Sequence, residues 1–243
     1  MSDPVFLVQA LPVIGPAILD GPEGRHAAVV RRLGPGERLL LADGVGGRAC
    51  GVVTSVEKES LRLDVVAVET VPRREPLVTV VQALPKGDRG EAAVEVMTEA
   101  GVDAVVPWQA SRCVTRWREA RGDKALGRWR ATAREAAKQS RRFWLPEVAE
   151  LASTSAVRKL LSGADAAFVL HEEAVEPLAV VAVPAAGSIV LVVGPEGGIA
   201  PDELAGFVEV GARPVRLGPT VLRTSTAGVA ALAVISARTA RWS

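Results

Sequence analysis

The chain has 243 residues, 49% of them apolar, which suffices for a large core and excludes a disordered chain. Its 29 lysines and arginines stand against 28 aspartates and glutamates, so a nucleic-acid surface could arise only by local clustering. Two cysteines (Cys50, Cys113) and two histidines (His26, His171) offer neither a disulfide framework nor a metal site, and they fit a reducing cytoplasm.

The first residues lack the basic-then-apolar pattern of a leader, and Asp3 interrupts them. Residues 1–70 read as a small all-β domain. Residues 4–8 form a short strand, Gly34-Pro35-Gly36 a turn, and residues 37–42 a strand that ends at Asp43-Gly44. Residues 48–56 and 61–68 continue the rhythm around a polar hairpin tip at 57–60. Residues 24–33 read as a single helix, so the expectation is a small barrel with one or two helices. His26, on that helix, reads first as a residue packed under a loop. Residues 71–76, charged and broken by prolines, open a second domain, 71–243.

In that domain residues 77–84 are a largely apolar, central strand, and Lys86-Gly87-Asp88-Arg89-Gly90 is its loop. A helix from Asp88 or Arg89 to Ala100 places Ala92, Ala93, Val96 and Ala100 on one face, with Gly101 closing it. Residues 102–106 are the next strand, stopped by Pro107. This alternation predicts a parallel sheet. A helix over 124–140 carries Leu126, Trp129, Ala133, Ala136 and Ala137 as an apolar stripe, with arginines on the other side. Arg141 and Arg142 precede Phe143 and Trp144. Such a cluster suits phosphate contacts and base stacking, or else cations at a helix end followed by core aromatics. Residues 166–170 are a strand ending at His171-Glu172-Glu173. The apolar run 178–193 contains Pro184 and Gly187 and is too short to span a bilayer.

The chain is organised around residues 189–204. Ile189-Val190-Leu191-Val192-Val193 reads as a strand buried on both faces. Gly194-Pro195-Glu196-Gly197-Gly198-Ile199 follows, and Pro201, Asp202 and Glu203 then suit a helix N-terminus. A glycine loop of this kind is either a tight turn or a place where a ligand meets bare backbone. It has neither the Walker Lys-Ser/Thr nor the dinucleotide fingerprint. A second such loop, Leu217-Gly218-Pro219-Thr220-Val221-Leu222-Arg223-Thr224, follows another short apolar segment and leads into a helix. Two loops of this kind could line one crevice at neighbouring strand ends. Residues 224–238 are apolar almost all round, so that helix must be buried, within the domain or across a two-fold interface.

The paired loops resemble those of the RsmE family of 16S ribosomal RNA uridine-N3 methyltransferases, in the SPOUT class. Further matches are Lys86-Gly87-Asp88-Arg89, the stretch Glu99-Ala100-Gly101-Val102, and the N-terminal pattern of His26, Arg32, Gly34, Pro35 and Gly36. The resemblance implies an α/β fold: a trefoil-knotted SPOUT domain at 71–243 behind a PUA-like, RNA-binding β-barrel at 1–70. It implies S-adenosylmethionine as cofactor, 16S ribosomal RNA or the small subunit as substrate, a homodimer paired through the last helix, a cytoplasmic enzyme, no metal and no membrane. It places the cofactor against Leu170, His171, Gly194, Pro195, Glu196, Gly197, Gly198, Ile199, Leu217, Gly218, Leu222 and Thr224. Arg223 becomes the candidate catalytic cation, stabilising the uridine anion or clamping its phosphate, or else an arginine that pairs with Glu196 or a helix end. Arg31, Arg32, Lys86, Arg89, Arg141 and Arg142 become candidate RNA contacts.

Ser225, Val5 and Val96 depart from the family pattern, where an acid, an arginine and a lysine are usual. Other readings are a ribose 2′-O-methyltransferase, a non-catalytic RNA-binding module and a small-molecule α/β enzyme. The first lacks its asparagine loop here, intact glycine loops argue against the second, and no catalytic triad or ligand cluster supports the third.

Overall fold

The computed structural model describes residues 3–242; residues 1, 2 and 243, at the outer limits of the two predicted domains, lie outside the described residues. The chain divides into two compact units. One takes the residues up to Arg73 plus Ala137–Leu145, the other Arg74–Ala136 plus the residues from Pro146 on.

The first unit contains β1 (Val5–Leu7), β2 (Gly15–Leu19), α1 (Gly21–Arg25), β3 (Arg38–Ala42), β4 (Gly47–Val56) and β5 (Leu61–Thr70). Its sheet order is β1-β3-β4-β5-β2, with β1 and β3 parallel and the other pairs antiparallel. Phe6 of β1 and Leu19 of β2 share one core with Leu39, Leu61 and Leu63. A sheet whose two outer strands enter one core is curled on itself. β2 escaped the sequence reading because Gly15-Pro16 reads as a loop. It lies at the edge of the sheet beside β5, and a proline is tolerated on such an edge.

The single helix expected over 24–33 is instead the short α1 followed by a π-helical turn, His26–Val30. That turn holds Ala27 fully buried and sets His26 edge-on to Phe6, with ring centroids 5.9 Å apart. His26 is therefore a packed residue. The return segment Ala137–Leu145 also has a packing role. Trp144 Nε1 donates to the Val71 carbonyl (2.8 Å), and Gly46 donates to the Phe143 carbonyl (2.8 Å). The Arg48 guanidinium lies 5.2 Å from the Phe143 ring centre, and Arg73 stands as far from that of Trp144. Both rings are half-buried, Phe143 against Val5, Leu7 and Ala42 and Trp144 against Gly46.

The second unit is a six-stranded parallel sheet: β6 (Leu77–Ala83), β7 (Ala104–Trp108), β8 (Glu147–Val148), β9 (Ala166–Leu170), β10 (Ser188–Val193) and β11 (Arg213–Val215), in the order β11-β9-β10-β6-β7-β8. Every residue of β10 from Ile189 to Val193 is 2% exposed or less, as a central strand requires. Pro107 does not stop β7. Its carbonyl turns toward the β8 side, accepting from Ala152 N–H, beyond the two paired residues of β8. The missing N–H costs no ladder bond there.

Five helices complete this part of the chain: α2 (Arg89–Glu99), α3 (Glu119–Gln139), α4 (Thr154–Ser162), α5 (Pro201–Glu209) and α6 (Thr224–Ala237). The predicted stripe of α3 is buried throughout, from Leu126 to Ala137. On α2 the predicted face is rotated. Gly90, Ala93, Val94 and Met97 point inward, whereas Ala92 is exposed and Val96 half-buried. The reason is the neighbour: α6 packs on α2 at Gly228, where a Cβ would lie only 2.6 Å from Met97 Sδ. Among the described residues no helix is long and apolar enough to cross a membrane.

Candidate active site

Parallel strands end on one side of their sheet, and ligands gather there. β9, β10 and β11 end at Leu170, Val193 and Val215, and a crevice of about 330 Å³ opens among the loops that follow them. The β9 loop contributes Leu170, His171 and Glu172. The β10 loop contributes Gly194, Pro195, Glu196, Gly198 and Ile199. The β11 loop contributes Arg216, Leu217, Gly218, Leu222, Arg223 and Thr224, and Arg89 reaches in from the start of α2. The structure thus brings together the predicted cofactor residues except Gly197. That residue faces the other way. A Cβ there would stand 3.3 Å from Arg112, and its carbonyl accepts from the Arg112 guanidinium at 3.2 Å.

The first loop is a tight turn with a braced exit. Gly198 donates to the Pro195 carbonyl (2.9 Å) and holds φ at +72°, which favours glycine. Pro201 starts α5, and Glu203 is buried just behind it. The Glu203 carboxylate accepts from Ser111 N–H (3.0 Å), Ser111 Oγ (2.9 Å), Thr154 Oγ1 (2.8 Å) and Ala200 N–H (3.4 Å). The sequence identified it only as an acid favourable to the helix dipole. Nothing local announced its partners on distant loops.

The second loop is open. Among the described residues, the backbone of 217–222 makes no hydrogen bond within the protein. Val221 is 78% exposed. A Cβ on Gly218 would meet nothing within 4 Å. Such a loop offers unmatched donors and acceptors to a ligand. Arg223 caps α6 through its carbonyl, which accepts from Thr226 and Ala227 N–H. Its guanidinium has no partner among the described residues, so the alternative of an ion pair with Glu196 is not realised. Glu196 instead accepts the Lys86 backbone N–H at 3.1 Å.

His171 Nδ1 accepts from Glu173 N–H (3.2 Å), which leaves Nε2 to carry the proton of the neutral ring. Arg216 and Glu172 were missed as site residues. The available signal was a charge directly after an apolar strand segment. Among the other predicted cations, Arg31, Arg32, Lys86 and Arg141 are exposed and Arg142 is half-buried. Burial pushes the Cys113 thiol up, so it stays protonated at neutral pH and is no nucleophile.

A family model described as RNA methyltransferase domain matches residues 73–236, and one described as RNA methyltransferase PUA domain matches 19–66. The ribosomal RNA small subunit methyltransferase E of Mycobacterium bovis is 53% identical over 98% of this chain and 93% of its own. The chain belongs to the ribosomal RNA small subunit methyltransferase E family. The Bacillus subtilis member is 31% identical over 91% of this chain and 90% of its own. The solved methyltransferase E of Neisseria gonorrhoeae, bound to S-adenosyl methionine, matches with a TM-score of 0.85 and 29% identity over 98% of both chains. Family membership therefore covers both units and includes the two glycine loops.

Proposed function

We propose that this methyltransferase E family member transfers a methyl group from S-adenosylmethionine to N3 of a uridine in 16S ribosomal RNA of the small subunit, in the cytoplasm. The observation that carries this reading is the crevice itself: two glycine loops beside Arg223, where, among the described residues, the backbone of the second loop and the guanidinium have no partner. The crevice fits the cofactor. Leu170, Ile199, Leu217 and Leu222 offer apolar walls to a base, and the free N–H and C=O groups around Gly218 suit its polar edges and ribose. Leu170, His171 and the loop residues Gly194, Pro195, Gly198 and Thr224 complete the set that would hold it.

S-adenosylmethionine, when bound, supplies a methyl group on a positively charged sulfur. The protein's part is to place the acceptor and ease its deprotonation. Uridine N3 is a weakly acidic imide, and its anion is the effective nucleophile. A guanidinium beside the pyrimidine carbonyls favours that anion. Arg223 is free to act in this way, and hydroxide then suffices as base.

The knot belongs to the same reading. After β11 the chain bonds to the β9–β10 connection, with Arg216 N–H on the Glu176 carbonyl (2.9 Å) and Leu178 N–H on the Arg216 carbonyl (2.8 Å). It then enters α6, which packs on β6 and β10. Such a path supports threading. The homodimer is supported by the outer side of α6, where Val229, Ala230 and Ala233 are only half-buried in a single chain. Light scattering at micromolar concentration is expected to give a dimer, and Val229→Glu a monomer. A wild-type monomer with full activity would remove that part of the account.

The first unit, with Arg31, Arg32, Arg141 and Arg142, and the Lys86–Arg89 loop of the second are assigned to RNA. Each lost phosphate contact flattens the logarithmic salt dependence of binding by about one unit. Paired alanine variants at 31/32, 86/89 and 141/142 test this by filter binding. Slopes equal to wild type would place the RNA elsewhere.

Calorimetry tests the pocket. Gly218→Val is expected to weaken cofactor binding at least about tenfold with the fold intact, because a side chain there enters open space at the crevice. Gly197→Ala, pressed against Arg112, is expected to leave affinity within about twofold. The reverse ranking would place the cofactor on the other side of the first loop.

A further inference from the structure

A glutamate between the glycines of a ligand loop is naturally assigned to the ligand. Here its carboxylate is already engaged. Glu196 Oε1 accepts the backbone N–H of Lys86 at 3.1 Å, which fastens the β10 loop to the β6–α2 loop. That second loop turns at Gly87 (φ +72°) and delivers Arg89 into the crevice as the first residue of α2. Its near end is fastened as well, since Thr115 Oγ1 donates to the Pro85 carbonyl at 2.8 Å. On its far side, Asp88 caps α2 with no side-chain hydrogen bond. Among the described residues, the Glu196 bond is thus the hydrogen bond that ties the 86–88 segment to the cofactor loop. The Arg89 guanidinium has no partner among the described residues.

We infer that Glu196 is a positioning residue for the RNA, holding the 86–89 loop so that Arg89 meets a phosphate of the target nucleotide at the edge of the crevice. This rests on the proposed methyl transfer and specifies which group orients its substrate. One carboxylate then links the loop that holds the cofactor to the loop that holds the RNA. Arg89 sits in the same crevice as Arg223, so one cation holds the nucleotide while the other serves the imide.

The test compares Glu196→Ala, Glu196→Gln, Arg89→Ala and the Glu196→Ala/Arg89→Ala double variant. An amide oxygen still accepts a backbone N–H, so Glu196→Gln should restore most of what alanine loses. Hydrogen exchange on the free protein gives a readout independent of activity. The Lys86 amide should exchange at least about tenfold faster in Glu196→Ala and near the wild-type rate in Glu196→Gln, since a hydrogen-bonded amide must open first. With RNA, Glu196→Ala should raise KM about tenfold, leave cofactor Kd within about twofold, and flatten the salt slope by about one unit, as Arg89→Ala should. The double variant should be no worse than Arg89→Ala alone.

Loss of cofactor affinity in Glu196→Ala, or fully additive effects in the double variant, would overturn the inference and return Glu196 to the ligand. Unchanged Lys86 exchange would overturn it as well. A wild-type protein that binds no S-adenosylmethionine and methylates no RNA would overturn the functional reading instead, while the exchange result would still report on the tie.

Discussion

Arg223→Ala is expected to slow single-turnover methylation by about a hundredfold or more while cofactor affinity stays nearly constant. The size follows from what is lost. A preorganised cation aimed at developing charge typically contributes about 3–4 kcal/mol to the transition state. It acts there only, so a loss confined to kcat is its signature. The structure supplies the two conditions for such a role. Arg223 lines the crevice, and its guanidinium has no partner among the described residues. Its backbone is independently fixed as the cap of α6, so truncating the side chain leaves the loop in place. Raising the pH should partly rescue the variant, because the imide then ionises without help. Arg223→Lys should rescue poorly where a planar fork is needed. Single-turnover rates across a pH series, with calorimetric cofactor affinities beside them, check all three statements. Rate and affinity falling together would make Arg223 a cofactor ligand, and wild-type rates at every pH would remove it from the chemistry.

Arg241→Ala is expected to destabilise the second unit by about 3–5 kcal/mol, the usual cost of removing one partner from a buried ion pair. Arg241 is 5% exposed and lies in the last helical turn, Ala240–Trp242. Its Nη1 donates to Asp103 Oδ2 at 2.8 Å and to the Pro76 carbonyl, and its Nη2 donates to the Gly101 carbonyl. Asp103 Oδ2 also accepts Val78 N–H at 2.8 Å, so this pair fastens the chain end to the start of β6 and the approach to β7. Without the guanidinium the buried carboxylate loses its charge partner and the carbonyls of Pro76 and Gly101 lose a donor. The melting temperature should fall by about 10 °C in thermal unfolding followed by circular dichroism. Asp103→Asn keeps an acceptor for Val78 and should cost less. Equal melting curves for Arg241→Ala and wild type would show that the chain end contributes no stability.

The sequence stated the α/β core plainly because its signals were local. The run Ile189–Val193 is apolar on both faces and became the centre of the sheet, and the α3 stripe fell on the predicted residues. The glycine loops were legible for a related reason: each follows a strand end, and parallel strands bring their ends together. What was not legible depended on neighbours. The buried face of α2 is set by Gly228 of α6, and Pro107 survives in β7 because β8 is short. The direction of Gly197 toward Arg112, the bonds of Glu203 and the Arg241–Asp103 pair join residues far apart in the chain. Phe143 and Trp144 looked equally suited to a base or a core, and their partners, the Val5–Leu7–Ala42 cluster, Gly46 and the Val71 carbonyl, all lie far from them in the chain.

The central claim is that this crevice directs a methyl group to one nitrogen of one ribosomal uridine. The most direct measurement is mass-spectrometric mapping of 16S ribosomal RNA after unmethylated small subunits react with the protein and methyl-labelled S-adenosylmethionine. The account predicts a single labelled uridine, with the label on the base at N3, and its loss with Arg223→Ala at short times. A label on a ribose oxygen, or an unlabelled RNA from a protein shown to bind the cofactor, would contradict it.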